Sequence, residues 1–172
     1  MNVDSQTLID HAHLFRVRSA RNEFTESGVL DSGYCGKREN LDYVTCDIKD
    51  KGMSELFNFH TTGTDGKYNI ELGQNDFNNS RYCNLDPLTR KMTCDSSTPS
   101  QFVILKNGVD EYNILSDDYK YCRYSVGVDN PKGIICDKTT INETSNDHFN
   151  FKLSPEHPSS GLQCDNYYET SI

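Results

Sequence analysis

Apolar residues alternate with polar residues in short segments along the chain, and clusters of Gly, Pro, Asn, Asp and Ser separate these segments. An alternation with a period of two places every second side chain on the same face of an extended strand. The pattern therefore predicts short strands joined by turns. Twelve strands are predicted, at residues 14–19, 33–37, 43–47, 56–61, 67–72, 81–85, 91–95, 101–106, 111–116, 120–125, 133–137 and 148–153.

The alternation also predicts which side chains form the core. In most of these segments one set of alternate positions is aromatic or aliphatic, and that face should turn away from water. The predicted inward residues are Phe15, Val17, Phe57, Phe59, Tyr68, Ile70, Leu72, Phe102, Ile104, Phe149, Phe151 and Leu153.

The same pattern of short motifs occurs three times along the chain. In each repeat Tyr-Cys precedes a polar loop, Cys-Asp follows the loop, and an aromatic segment comes next. The pairs are Tyr34-Cys35 with Cys46-Asp47, Tyr82-Cys83 with Cys94-Asp95, and Tyr121-Cys122 with Cys136-Asp137. Four short strands cannot cover their own apolar face, so three repeats should share one core. We expect an all-β fold, a β-trefoil of twelve short strands with pseudo-threefold symmetry, and a Greek-key sandwich is the alternative.

The predicted organisation is a single domain. A chain of 172 residues is long enough for one buried core, and two independent domains are not expected. The repeats place the trefoil domain at residues 14–153. An N-terminal segment, 1–13, precedes it and a C-terminal tail, 154–172, follows it.

Several segments resemble a known family. Ile114-Leu115-Ser116, Lys120-Tyr121-Cys122 and Phe149-Asn150-Phe151 are similar in pattern to fascin and other actin-crosslinking-like β-trefoils. In that family a strand ending near Leu-Ser leads to Lys-Tyr-Leu, then to Val-x-Ala and Phe-x-Ile, and here Cys replaces both that Leu and that Ala. The resemblance covers about residues 14–153 and implies the trefoil fold. It also suggests actin as a partner, which a basic cluster near the first repeat would favour: Arg16, Arg18, Arg21, Lys37 and Arg38.

Seven cysteines are present, and two interpretations of them remain open. The two cysteines of each repeat should lie on neighbouring strands, where they form either cross-strand disulfides or small buried thiols. The first residues lack the basic start and apolar stretch of a signal peptide, so we expect a cytoplasmic protein with reduced thiols. Zinc is not expected, because no two cysteines have the close spacing of structural zinc ligands. The repeat cysteines are Cys35, Cys46, Cys83, Cys94, Cys122 and Cys136, and Cys164 lies unpaired in the tail.

Charge and motifs exclude several function classes. A net charge of −9 disfavours nucleic acid, and no apolar run approaches the roughly 18 residues that a bilayer requires. No nucleophile elbow, phosphate loop or dinucleotide fingerprint occurs, so we expect neither an enzyme nor a cofactor. Asp117-Asp118 is interpreted as a solvated turn. Four of the five histidines, His11, His13, His60 and His148, are interpreted as surface residues.

A non-enzymatic protein-binding or structural module is therefore expected, with a second copy of the chain among its partners. Tyr167 and Tyr168 in the tail would serve as interface residues. A carbohydrate-binding trefoil is the alternative, and Asp47, Asp95 and Asp137 would be its ligands because they face outward where the adjacent cysteine faces inward. Frequent Asn, Lys, Asp and Tyr suit a large DNA virus or a protist, which makes an abundant virion component a further alternative.

Two short motifs match the N-glycosylation acceptor pattern. They are Asn78-Asn79-Ser80 and Asn142-Glu143-Thr144. The pattern has consequences only in a secreted protein.

Overall fold

The computed structural model describes residues 14–20, 33–38, 41–48, 56–73, 81–126 and 133–156. These residues form strands and turns without any helix, so the all-β prediction is confirmed, and none of them belongs to a helix capable of crossing a membrane. Their strands are β1 (Leu14–Ser19), β2 (Tyr34–Lys37), β3 (Val44–Ile48), β4 (Leu56–Thr61), β5 (Lys67–Leu72), β6 (Tyr82–Leu85), β7 (Met92–Ser96), β8 (Gln101–Lys106), β9 (Glu111–Ser116), β10 (Tyr121–Ser125), β11 (Gly133–Lys138), β12 (Asp147–His148) and β13 (Phe151–Pro155).

The first eleven strands begin and end within one residue of the predicted segments. The count of twelve is not confirmed, because the predicted strand 148–153 is divided into β12 and β13. The two parts pair with different neighbours: β12 lies against β10, whereas β13 lies between β1 and β9. The chain must leave one partner before it reaches the other, and this separates the two pieces.

Six of the strands close into a barrel. Around the ring, β1 pairs with β4, β4 with β5, β5 with β8, β8 with β9, β9 with β13, and β13 again with β1, all antiparallel. Since the last strand returns to the first, each barrel strand has a hydrogen-bonded neighbour on both sides. The barrel therefore fixes the positions of the turns that join its strands.

The barrel interior is filled by the predicted apolar faces. All twelve residues assigned to the core from the alternation are buried. Phe59 packs edge to face against Phe15 at 5.4 Å and against Tyr68 at 6.4 Å between ring centroids. Edge-to-face packing suits the charge distribution of aromatic rings and adds to the free energy gained by burying their surface.

Three hairpins lie outside the ring, formed by β2 with β3, β6 with β7, and β10 with β11. Each contains one disulfide, Cys35–Cys46, Cys83–Cys94 and Cys122–Cys136. The expectation of reduced thiols is therefore wrong. The cytoplasmic location is wrong with it, because structural disulfides form and persist in oxidising environments. Cys164 lies outside the described residues.

The hairpins also contact one another. Lys91, at the start of the second strand of the β6–β7 hairpin, pairs with Ile135 of β11 in an isolated bridge. Its ammonium group lies 4.1 Å from the centre of the Tyr43 ring, beside the β2–β3 hairpin. One residue thus connects all three hairpins.

A buried arginine connects the third hairpin to the strand that follows it. Arg123 on β10 donates from Nε and Nη2 to the two carboxylate oxygens of Asp137 at 2.9 and 3.0 Å. Its Nη1 donates to Asp147 at 2.6 Å. Partial burial alone would raise the pKa of Asp137, but the hydrogen bonds and charge of Arg123 outweigh it and hold that pKa below its ordinary value.

His148 corrects another expectation, because its ring is buried. Asp147 points toward Arg123, so the alternation of the strand turns the next side chain inward. There Nδ1 lies 3.5 Å from the Ser19 hydroxyl. His60 is half-buried and lies 3.0 Å from a carboxylate oxygen of Glu71, whereas His11 and His13 lie outside the described residues.

Alkylation without a reductant tests the disulfides. We expect the intact mass of the denatured chain to show no modified thiol or one, because the six repeat cysteines are bonded in pairs. After reduction all seven cysteines of the chain should react. Six or seven modified thiols before reduction would contradict the pairing.

The Arg123 cluster makes a second prediction. Replacing Arg123 with Ala should lower the free energy of unfolding by roughly 2–4 kcal/mol at neutral pH, since the change leaves two carboxylates without their partner in a partly buried site. Urea denaturation followed by circular dichroism measures this. Arg38→Ala is the matched control, because the Arg38 side chain is 48% exposed in its pair with Asp47 and its loss should cost less than about 1 kcal/mol.

The same comparison has a pH dependence. A carboxyl whose pKa is lower in the folded state stabilises the fold above its unfolded pKa, and this contribution is lost as the pH falls through the folded value. The difference between the wild type and Arg123→Ala should therefore shrink below about pH 3.8, the ordinary value for Asp137. A difference that grows with acidification would contradict the ion pair.

Candidate ligand-binding cleft

A surface cleft of about 240 Å³ opens where three segments meet. They are the β6–β7 hairpin, the beginning of β8 and the turn from β9 to β10. Apolar side chains and polar groups both line it, a combination that is typical of ligand sites. The lining residues of this Asp118 cleft are Leu85, Arg90, Ser100, Gln101, Phe102, Ser116, Asp117 and Asp118.

The β6–β7 turn holds Arg90 in position. The carboxylate of Asp86 accepts hydrogen bonds from the backbone N–H groups of Leu88 and Thr89, both at 2.9 Å. These bonds, first Thr89 and then Leu88, lower the pKa of Asp86. Arg90 itself has a φ of 59°, in the left-handed region that non-glycine residues seldom adopt. The turn thereby directs its guanidinium toward β11 and the β9–β10 turn.

Arg90 forms hydrogen bonds with three groups. Its Nε donates to the carbonyl oxygen of Cys136 at 2.6 Å, which joins the second hairpin to the third. Its Nη2 donates to the hydroxyl of Ser116 at 3.1 Å and to the carboxylate of Asp118 at 2.8 Å. These bonds offset the cost of the unusual backbone conformation and fix the arginine at the edge of the cleft.

The β9–β10 turn positions Asp118. The N–H of Tyr119 donates to the carbonyl oxygen of Ser116 at 2.8 Å, and the N–H of Ser116 donates to that of Lys120 at 2.9 Å. The Ser116 hydroxyl also donates to Oδ1 of Asp118. The pKa of Asp118 is lowered, first by the Ser116 hydroxyl and then by Arg90. Both of these bonds end on Oδ1 of the carboxylate.

An aromatic residue, Tyr119, directly follows Asp118 in the β9–β10 turn. Tyr119 is 60% exposed, and its φ of 62° also lies in the left-handed region. The ammonium group of Lys67 lies 5.4 Å from the centre of its ring and 2.8 Å from Oδ1 of Asp117. The hydrogen bond with Asp117 is the main cause that raises the pKa of Lys67. The turn thus presents a ring face and two carboxylates whose charges two cations balance.

None of the aspartates that follow the cysteines lines this cleft. Asp47 accepts a hydrogen bond from the Thr45 hydroxyl at 2.8 Å and pairs with Arg38. Asp137 is held by Arg123, whereas Asp95 is exposed on β7. Their role as ligand-binding residues stays a prediction. Tyr167 and Tyr168 lie outside the described residues.

The basic cluster near the first repeat is not one exposed surface. Arg16 is buried, and its Nε donates to Glu156 at 3.0 Å. Arg38 is paired with Asp47, and Arg21 lies outside the described residues. This arrangement weakens the argument for an acidic filament as the partner.

Sequence reasoning missed the Asp118 cleft because its members are far apart in the chain. The sequence indicates a solvated turn at Asp117-Asp118, and cations from another repeat give the two carboxylates a defined geometry, Lys67 bonding to Asp117 and Arg90 to Asp118. Among the described residues no group of three or more His, Cys, Asp or Glu side chains could hold a metal ion. The side chains that line the cleft supply hydrogen-bonding and charged groups.

No protein-family profile and no curated protein matches the sequence. Solved structures do match in fold. A Polyporus squamosus lectin, bound to the human-type influenza-binding epitope Neu5Aca2-6Galb1-4GlcNAc, has 14% sequence identity and a TM-score of 0.54, and the match covers 84% of this chain and 49% of the lectin.

Two further structures are similar. Cry35Ab1 has 16% identity and a TM-score of 0.52, over 84% of this chain and 36% of that protein. The water-soluble chlorophyll protein from Brassica oleracea var. Botrytis, with chlorophyll b, has 12% identity and a TM-score of 0.54, over 83% of this chain and 90% of that one. This chain thus spans about half of the lectin and about a third of Cry35Ab1. At such identities the similarity concerns the fold alone.

Proposed function

We propose that this chain is a non-enzymatic, carbohydrate-binding β-trefoil whose sugar site is the Asp118 cleft. The observation that carries the proposal is the Asp118 carboxylate that Arg90 and Ser116 fix in the cleft, in the same turn as the exposed Tyr119. The closed six-stranded barrel and its three outer hairpins, one from each sequence repeat, support the trefoil. The oxidising environment that the disulfides require is also where extracellular glycans are met.

The chemistry of the Asp118 cleft suits a sugar. Each sugar hydroxyl can donate and accept a hydrogen bond. A carboxylate can accept from it, and an amide or a hydroxyl can accept from it or donate to it. Asp118, Gln101 and Ser100 supply these three groups in one cleft. The C–H face of a sugar ring is slightly positive, and it stacks on the negative face of an aromatic ring such as Tyr119.

The balance of charge favours a neutral sugar. Lys67 pairs with Asp117 and Arg90 with Asp118, so each cation already has a carboxylate partner. An acidic sugar would have to displace one of these carboxylates before it gained a cation. We therefore expect neutral hexoses and N-acetylhexosamines as ligands, in preference to the sialic acid of the lectin's epitope.

The electrostatics of the Asp118 cleft favour binding over hydrolysis. A glycosidase requires one carboxyl with a raised pKa, which stays protonated to act as a general acid. The pKa of Asp118 is lowered instead, by Ser116 and Arg90. Asp117 accepts a hydrogen bond from Lys67.

A protein-binding module is the second candidate. Leu88, at the tip of the β6–β7 turn, is 92% exposed. It lies two residues before Arg90, which lines the cleft, and the exposed Tyr119 directly follows Asp118 in the chain. Exposed apolar and aromatic side chains beside a polar cleft are common at protein interfaces.

A glycan array of neutral and sialylated glycans, with and without calcium, tests the first candidate. We expect neutral glycans to bind, and Asp118→Asn to raise the Kd for the best of them roughly 10- to 100-fold, as loss of a charged hydrogen-bond acceptor implies. Gln101→Ala should also weaken binding, and it leaves the Arg90 pair in place. Asp95→Asn is the matched control, because that aspartate lies outside the Asp118 cleft.

Two outcomes would contradict this assignment. Binding that survives Asp118→Asn and is lost in Asp95→Asn would move the site to the aspartates next to the cysteines. An array without any hit would remove the carbohydrate proposal and favour a protein partner.

The pH dependence of binding is a further test. Because the Ser116 hydroxyl stabilises the ionised form of Asp118, binding should persist until the pH falls through a pKa below 3.8, the ordinary value. Ser116→Ala removes that hydrogen bond, so the pKa of Asp118 rises and binding is lost at a higher pH. Calorimetric titrations between pH 3 and 7, with circular dichroism as the folding control, measure the shift. An unchanged or lower midpoint in Ser116→Ala would contradict the role of Asp118.

A further inference from the structure

A fully exposed loop leaves the third hairpin and leads to β12. Residues 137–146 are all exposed, the longest such run among the described residues. Asn142 lies within it, in the motif Asn142-Glu143-Thr144. This motif is not part of the Asp118 cleft, and the proposed function does not use it.

The base of the loop is held closed. Arg123 bonds to Asp137 near the end of β11 and to Asp147 at the start of β12, so one guanidinium joins the two strands that flank the loop. The backbone N–H of Val126 also donates to the carbonyl oxygen of Asn146 at 2.8 Å. The loop therefore projects from a fixed base.

Hydrogen bonds within the loop define its course around Asn142. The Thr144 hydroxyl accepts from the N–H groups of Asn146 and Asp147 at 3.2 and 3.0 Å. A carboxylate oxygen of Glu143 accepts from the N–H of Phe149 at 3.0 Å. Glu143 and Thr144 are thus tied to the backbone that follows them, and Asn142 is exposed.

We propose that Asn142 carries an N-linked glycan. The motif has the required hydroxyl residue two positions after Asn, and Glu143 stands where proline would prevent transfer. The three disulfides supply the second argument, because they require an oxidising compartment of the kind in which secreted proteins are glycosylated. Exposure supplies the third, since a bulky sugar at Asn142 displaces no buried side chain.

N-glycosylation transfers an oligosaccharide from a lipid-linked donor to the side-chain amide of Asn142. The amide nitrogen of Asn142 forms a bond to the anomeric carbon of the first sugar and loses one proton. The bond from that carbon to the diphosphate of a lipid-linked oligosaccharide breaks, and the lipid diphosphate leaves with the electron pair. No oxidant or reductant takes part.

The glycan would also cover apolar surface. Ile141, next to Asn142, is one of the few large hydrophobic side chains that are exposed in the described part of the chain. An attached sugar would shield it from contact with other molecules.

Peptide mapping of the full chain, secreted from a eukaryotic host, tests the proposal. We expect mass spectrometry to find the peptide that contains Asn142 with a glycan, and amidase treatment to convert Asn142 to Asp. Asn142→Gln should lose the mass of one glycan, and Thr144→Ser should retain it. A parallel Asn78→Gln variant assigns any glycan at the other motif.

An unmodified Asn142 peptide, in protein whose three disulfides have formed, would overturn the proposal. The control is an acceptor motif in an appended tag, which must carry a glycan in the same sample. Because the wild-type peptide is read directly, the test does not depend on whether any variant folds. Glycosylation can fail while the Asp118 cleft still binds sugar, so the two proposals are tested separately.

Discussion

The fold depends on the pairing of β1 with both β4 and β13. Five residues of β1 have partners on β13, from Phe15 opposite Pro155 to Ser19 opposite Phe151, so the two ends of the described chain close the ring. Closure gives every barrel strand two neighbours and buries the aromatic face of each. It also sets where each turn emerges, and so brings Arg90 of one repeat against Asp118 of the next.

Much of the fold could be predicted from sequence because its signals are local. The period-two alternation predicts the bounds of most strands, and the repeated Tyr-Cys and Cys-Asp motifs predict the three hairpins. The prediction failed at residues 148–153, because alternation does not indicate which neighbouring strand a segment pairs with. It also failed at His148, whose side chain is buried because the preceding Asp147 points toward Arg123. Cysteine spacing fitted bonded and free thiols equally well, so the choice rested on an assumed compartment and was wrong.

The site was harder to predict, for a physical reason. The Asp118 cleft exists because side chains from separate repeats meet, and no local pattern encodes the bond between Arg90 and Asp118. Two of the three aspartates predicted from the repeat form ion pairs within the protein, Asp47 with Arg38 and Asp137 with Arg123. The acidic net charge likewise says little about a cleft in which cations and carboxylates balance.

The account rests on a closed barrel with a fixed carboxylate and an exposed aromatic ring in its β9–β10 turn, and a crystal structure with a neutral oligosaccharide bound tests it most directly. The account predicts a sugar hydroxyl within hydrogen-bond distance of the Asp118 carboxylate, a sugar ring over Tyr119, and β1 paired with β13. A sugar bound at Asp47, Asp95 or Asp137 instead, or a sheet left open between β1 and β13, would contradict it.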